Sequence, residues 1–271
     1  MSSTTQQPQQ SDAVGNDILF ERRGRIAWLT FNRPEARNAM TFAMYDEIVR
    51  VCDEIEQDPD IRVLVLTGAG EKAFVAGTDI SQFKSFTEPQ HALDYESRIE
   101  GVISRLEHVA RPTIAAIRGY AVGGGAQIAI ASDIRICTPD AKFGIPIART
   151  LGNTISMNGF SRLVDLIGPA RAKAMIFTAE MVGAEEAAAI GLANEIVEHE
   201  QLESRVMEVA EKIAGNAPVT IQVAKEAVRR VQQARRPPRD TDLVVQAYMS
   251  EDFKEGVNAF LEKRKPEWKG R

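Results

Sequence analysis

The chain has 271 residues, 44% of them hydrophobic and 26% charged, a balance that excludes wholesale disorder and by length fits two average domains or one large α/β domain. A formal charge of −5 excludes nucleic acid as the main partner, because a phosphate-binding face must be basic. Two cysteines, Cys52 and Cys137, cannot build a disulfide framework and point to a reducing, cytoplasmic compartment. Three scattered histidines argue against a metal site, and no apolar run is long enough to cross a membrane.

Residues 1–16 are polar, lack the basic and apolar regions of a signal peptide, and read as a disordered tail. Ile18–Arg22 and Arg25–Asn32 flank Arg23-Gly24 and predict a hairpin. Thr41 caps a helix through about Gln57, whose apolar face is Met44, Ile48, Val51, Cys52 and Ile55. Ile61–Thr67 is a buried strand, Glu88–Val109 a helix, Thr113–Ile117 a second strand, and Asp133–Cys137 a further apolar run. This alternation implies a layered, mainly parallel sheet. Beyond about Asn158 the spacing is helical: Gly159–Ile167, Pro169–Thr178, Ala184–Ile190, Gln201–Gly215, Val219–Gln233, Asp240–Ser250 and Asp252–Lys263. The expected organisation is an α/β core over 17–195 and a helical region over 196–271, with no repeat of fixed period.

Two glycine-containing turns follow buried strands: Phe74-Val75-Ala76-Gly77-Thr78-Asp79-Ile80 and Gly119-Tyr120-Ala121-Val122-Gly123-Gly124-Gly125-Ala126-Gln127. Glycines opening the apolar helix Ala126–Ala131 let backbone approach a ligand, and they leave helix N-terminal N–H groups free to stabilise an anion or a polarised carbonyl. They equally permit tight turns or close helix–strand packing. Neither a phosphate loop nor a dinucleotide glycine fingerprint is present.

With these turns, an ordered set of segments resembles the enoyl-CoA hydratase/isomerase (crotonase) superfamily. The segments begin with Asn32-Arg33-Pro34-Glu35-Ala36-Arg37-Asn38-Ala39 and continue through the two turns, Pro112–Ile117, Ser132-Asp133-Ile134 and Ala141-Lys142-Phe143-Gly144. Ala187 to Gly191-Leu192-Ala193 and Glu262-Lys263-Arg264 complete the set. The resemblance implies an α/β, crotonase-like (ClpP/crotonase) spiral of ββα units with a helical C-terminal trimerisation region. It also implies an acyl-CoA thioester substrate, no separate cofactor, and a homo-trimer or dimer of trimers. By position, the backbone N–H groups of Thr78 and Gly124 form the family's oxyanion hole. Ala36 and Arg37 match the segment on the adenine side of CoA, and Ala76, Asp79, Ile80 and Ser81 match the loop along the pantetheine. Lys263 matches a basic position near the CoA phosphates; a solvated lysine in a charge run is the other reading.

The family's hydratases use two glutamates. Here one position is Gln127 and the other Ile147, or Ala148 if a residue is inserted, and neither is a carboxylate. An amide can hold water but cannot take its proton at neutral pH, so ordinary two-glutamate hydration is disfavoured. Substitutes open to consideration are Asn153, which could orient water or a carboxylate, and Arg149, which could bind an acidic acyl group. His91, Tyr95 and Glu96 lie beside the first turn, and Tyr248, Glu251 and Asp252 lie near the C-terminus. Asp79 reads as a cap on a short helix over Ile80–Lys84, and Cys137 as core. Three functions follow as expectations. The first is a hydratase, isomerase or lyase with a non-standard acid/base set that includes Gln127 and Asn153. The second is a catalytically silent acyl-CoA-binding protein, and the third a decarboxylase or C–C lyase served by Arg149.

Overall fold

The computed structural model describes residues 17–80, 83, 86–236 and 241–271, so the expected tail at 1–16, Ser81, and the start of the helix expected from Asp240 lie outside the described residues. Strands β1 (Ile18–Arg23), β2 (Ile26–Phe31) and helix α1 (Phe42–Gln57) open the fold. Three strand–strand–helix units follow. The first is β3 (Val63–Gly68), β4 (Ala73–Val75) and α2 (Pro89–His108). The second is β5 (Thr113–Ile117), β6 (Tyr120–Val122) and α3 (Gly124–Ala131). The third is β7 (Ile134–Cys137), β8 (Lys142–Gly144) and the short α4 (Ile147–Thr150). Helix α5 (Met157–Thr178), β9 (Val182–Gly183), α6 (Ala184–Ala189) and β10 (Glu195–Ile196) lead to helices α7 (Leu202–Ala214), α8 (Pro218–Gln233), α9 (Thr241–Tyr248) and α10 (Glu251–Leu261). The units differ in length because their helices do, which is why the sequence carries no fixed period.

Each unit puts its first strand in a six-stranded sheet, ordered β1-β2-β3-β5-β7-β10, and its second in a four-stranded sheet, ordered β4-β6-β8-β9. In the large sheet only β1 and β2 pair antiparallel; in the small one, only β8 and β9. Side chains alternate across a strand, and β2 shows the result. Ala27, Leu29 and Phe31 enter the main core with α1 and α2, whereas Ile26 and Trp28 face α7 with Val63, Val65 and Ile114. α7 therefore closes the second face of the large sheet, so the helical region after residue 196 begins with an element of the core.

The expected hairpin and long helices form within a residue or two of their predicted ends. The two helices expected over 159–178 run on as α5, broken at Gly168 (φ 76°) ahead of Pro169. The strands β4, β6 and β8 were not expected as separate elements; three residues are too few to show a period. α3 begins at Gly124 rather than Ala126, and the short α4 was not among the expected helices.

Candidate functional site

In the small sheet, β4, β6 and β8 run parallel and side by side, so their C-terminal ends meet at one edge. β4 runs into Ala76-Gly77-Thr78, β6 into Gly123-Gly124, and β8 into Pro146-Ile147. A cavity of about 520 Å³ opens at that edge. Ala36, Arg37, Ala76, Thr78, Asp79, Ile80, Gly124, Gln127, Ile147 and Asn153, each singled out in the sequence, line it. Lys263 does not; it is exposed beyond α10. Arg149 and Ala148 are likewise exposed and off the cavity. His91 pairs with Glu88 on the surface, also off the lining.

The three glycines of the triplet have different surroundings. Gly123 (φ 55°) makes the left-handed turn that a side chain would strain. A Cβ on Gly125 would run into the Val75 carbonyl, so α3 packs directly on β4. A Cβ on Gly124 would overlap the Tyr45 hydroxyl and lie 3.1 Å from Thr78 Oγ1, which places Gly124 against Thr78. The first intrahelical acceptor of α3 is taken by Gln127 N–H, bonded to Gly123 O at 3.0 Å in a helix that starts at Gly124, so the Gly124 N–H has no intrahelical acceptor. At Thr78 the neighbours carry the backbone bonding: Met40 N–H donates to Gly77 O and Asp79 N–H to Met40 O, both at 2.9 Å. Thr78 and Gly124 can thus present two amide donors to one oxygen in the cavity. The Thr78 hydroxyl is fixed by Tyr45 at 2.8 Å and receives the Tyr95 hydroxyl at 3.3 Å.

The loop before α1 is held to the same edge. Buried Asn38 (φ 57°) accepts from Arg33 N–H at 2.9 Å and donates to Ala69 O and Ala73 O at 3.0 and 2.8 Å. Ala76 N–H donates to Arg37 O at 3.0 Å. Ala36 and Arg37 are therefore tied through backbone bonds to the turn that carries Thr78.

The cavity holds one carboxyl group whose environment differs from the rest. Glu96, on α2, accepts the Tyr248 hydroxyl at 2.5 Å on Oε1, and Asn153 Nδ2 donates to that hydroxyl at 3.1 Å. Among the described residues Oε2 has no hydrogen-bond partner. Burial pushes the Glu96 carboxyl up, the neighbouring Glu100 charge adds to this, and together they outweigh the Tyr248 hydrogen bond, bringing it to about 7. Glu96 is half-buried and borders the cavity. Glu100 also lines the cavity but is engaged by Arg162, at 2.7 Å, and by Ser104, Ser156 and Asn158. Burial raises its carboxyl, yet Arg162 and the hydroxyls win and hold it below the ordinary value.

Two buried amide atoms in the cavity walls, Gln127 Nε2 and Asn153 Oδ1, have no hydrogen-bond partner among the described residues. Such atoms are costly to bury without a partner. Among the described residues no three His, Cys, Asp or Glu side chains gather as a metal site, and no helix is long and apolar enough to cross a membrane.

Glu96 was one of several acids in the sequence that could serve, with nothing to raise it above His91 or Asp252. The available signal was its place beside the apolar stripe of α2, next to Tyr95 and one turn before Glu100.

The fold and the cavity define a crotonase-type protein. Residues 21–271 match the family described as enoyl-CoA hydratase/isomerase, and the chain belongs to it. The short-chain-enoyl-CoA hydratase of Clostridium acetobutylicum is 40% identical over 263 residues, covering 93% of this chain and 97% of the relative. The crotonyl-CoA hydratase of Syntrophomonas wolfei is 35% identical, covering 92% and 96%. A solved structure of methylmalonyl-CoA decarboxylase in complex with 2-nitronate-propionyl-CoA superposes with a TM-score of 0.86 at 29% identity, covering 94% and 98%.

Proposed function

We propose that this chain is an acyl-CoA enzyme that holds a thioester enolate on the Thr78 and Gly124 amides and moves a single proton with Glu96. The observation that carries this reading is Glu96 itself, a carboxyl near pKa 7 bordering the cavity that Thr78 and Gly124 line. With Gln127 and Ile147 where the family's hydratases place acids, and Glu100 held by Arg162, Glu96 is the carboxyl assigned to proton transfer. That suits an allylic shift. Glu96 takes a proton from C2 of a 3-enoyl thioester, the C–H pair moves onto the carbonyl oxygen, and the same carboxylic acid returns the proton at C4 as the 2-enoyl thioester forms. Tyr248 and Asn153 orient the carboxylate and leave Oε2 to the substrate.

Hydration is the second reading, favoured by the hydratases among the relatives. Proton NMR with a 3-enoyl-CoA and with crotonyl-CoA in deuterated water separates the two. A shifted double bond with deuterium uptake supports the first, a 3-hydroxyacyl product the second, and binding without either supports a silent acyl-CoA-binding protein.

Two expected results bear on this reading. Gly124→Val places a side chain on the Tyr45 hydroxyl and spoils one amide donor, so steady-state turnover is expected to fall by about 10²-fold or more while acyl-CoA still binds. Methylmalonyl-CoA is expected to give no decarboxylated product, measured by carbon dioxide release, because Arg149 is off the cavity and an ionised Glu96 repels a second carboxylate.

A further inference from the structure

A second cavity, about 270 Å³, lies on the other side of Glu96. Glu96, Glu100 and Ser156 form the wall common to both cavities. The second is otherwise bordered by α2, the first turn of α5 and α9, and it opens at Gln90, Asp94 and Ser97, all exposed. Leu93, Met157 and Val244 give it an apolar flank, while Gln90, Asp94, Ser97 and Asn158 offer hydrogen-bond partners between the mouth and Glu96, and its size admits several waters at roughly 30 Å³ each. The first cavity faces the paired amide donors, so a substrate seated there would seal Glu96 from that direction.

We propose that the second cavity is a water port through which Glu96 exchanges its proton with solvent while an acyl group occupies the first. This rests on the reading of Glu96 as the proton carrier. Once the C2–H bond breaks and the proton sits on Glu96, two routes compete. Direct return of the same proton to C4 preserves it in the product. Exchange with water through Gln90 and Ser97 replaces it by a solvent proton, with no change in electron count.

The test uses the full chain with a 3-enoyl-CoA in deuterated water, reading deuterium at C4 of the 2-enoyl product by mass spectrometry. The wild type is expected to incorporate solvent deuterium. Ser97→Phe, on the exposed side of α2, fills the mouth of the port and is expected to keep the shift while incorporation falls severalfold; Ser97→Ala keeps wild-type incorporation. Equal incorporation by Ser97→Phe and wild type, or a wild-type product without deuterium, overturns the port. Glu96→Gln separates this from failure of the underlying reading: undiminished turnover in that variant removes the proton-carrier role, and the port with it. A protein that catalyses neither the shift nor α-deuterium exchange of butyryl-CoA removes both.

Discussion

Glu96→Gln is expected to lower turnover by roughly 10²–10⁴-fold, the usual contribution of a positioned acid/base, with little change in acyl-CoA affinity. Glutamine keeps the shape and can still meet the Tyr248 hydroxyl, but it cannot carry a proton. In the wild type the base must be ionised, so the rate of the proton shift should climb as pH rises through about 7 and then level off. Stability should move the other way. The folded-state value lies above the ordinary 4.5, so the native protein binds more protons than the unfolded chain between these values. This contribution is fully present below 4.5 and is lost as pH rises through 7. At pH 8 Glu96→Gln is therefore expected to stabilise the fold by on the order of 1–3 kcal/mol, checked by urea unfolding at pH 8 and pH 5. A variant both inactive and more stable is the signature of a strained acid kept for use.

The second large effect is expected at Arg162. Its guanidinium is buried between Glu100, at 2.7 Å, and Glu107, at 3.1 Å, and Arg236 reaches Glu107 from the end of α8. Burial would raise the Glu107 carboxyl, but Arg236 and Arg162 overcome it and hold it at about 2. Arg162→Leu strands Glu100 in the interior and halves the partners of Glu107. Removing one partner of a buried pair typically costs about 3–5 kcal/mol, and urea unfolding at pH 7 is expected to show a loss of that size. The sign with pH is opposite to that of Glu96. Because the folded value is depressed, the wild-type contribution of Glu107 is complete above 4.5 and is lost as pH falls toward 2. Acid unfolding of the wild type should therefore be steepest in that window.

The legible parts of this protein are those decided by short stretches of chain. Gly77, Gly123, Gly124 and Gly125 lie in turns downstream of the apolar strands read at 61–67 and 113–117, and a turn needs few residues to specify it. The apolar stripe of α2 is equally local, with Tyr95, Ile99, Val102 and Leu106 at helical spacing. The acid on that helix was not legible for the opposite reason. Gln90, Asp94, Glu96, Glu100 and Glu107 look alike as a polar face; only packing sets Glu96 on Tyr248, 152 positions away, and Glu100 on Arg162, 62 away. The same holds for Arg149, which has the right chemistry for an acidic acyl group but falls on the outer face of α4. β4, β6 and β8 are defined by their pairing with each other, information that no three-residue window contains.

The Asn38 clasp makes the segment bearing Ala36 and Arg37 and the turn bearing Thr78 one stiff body. In a soft loop, affinity gained at a ligand's distant end is dissipated as the loop yields. Here it is transmitted to the place where a carbonyl would meet its donors, so the handle of the molecule and its reacting group are aligned together. A ligand whose distant end seats on Ala36 and Arg37 would, if deprived of that end, forfeit alignment as well as adhesion, and the deficit would fall on the speed of the reaction rather than on occupancy alone.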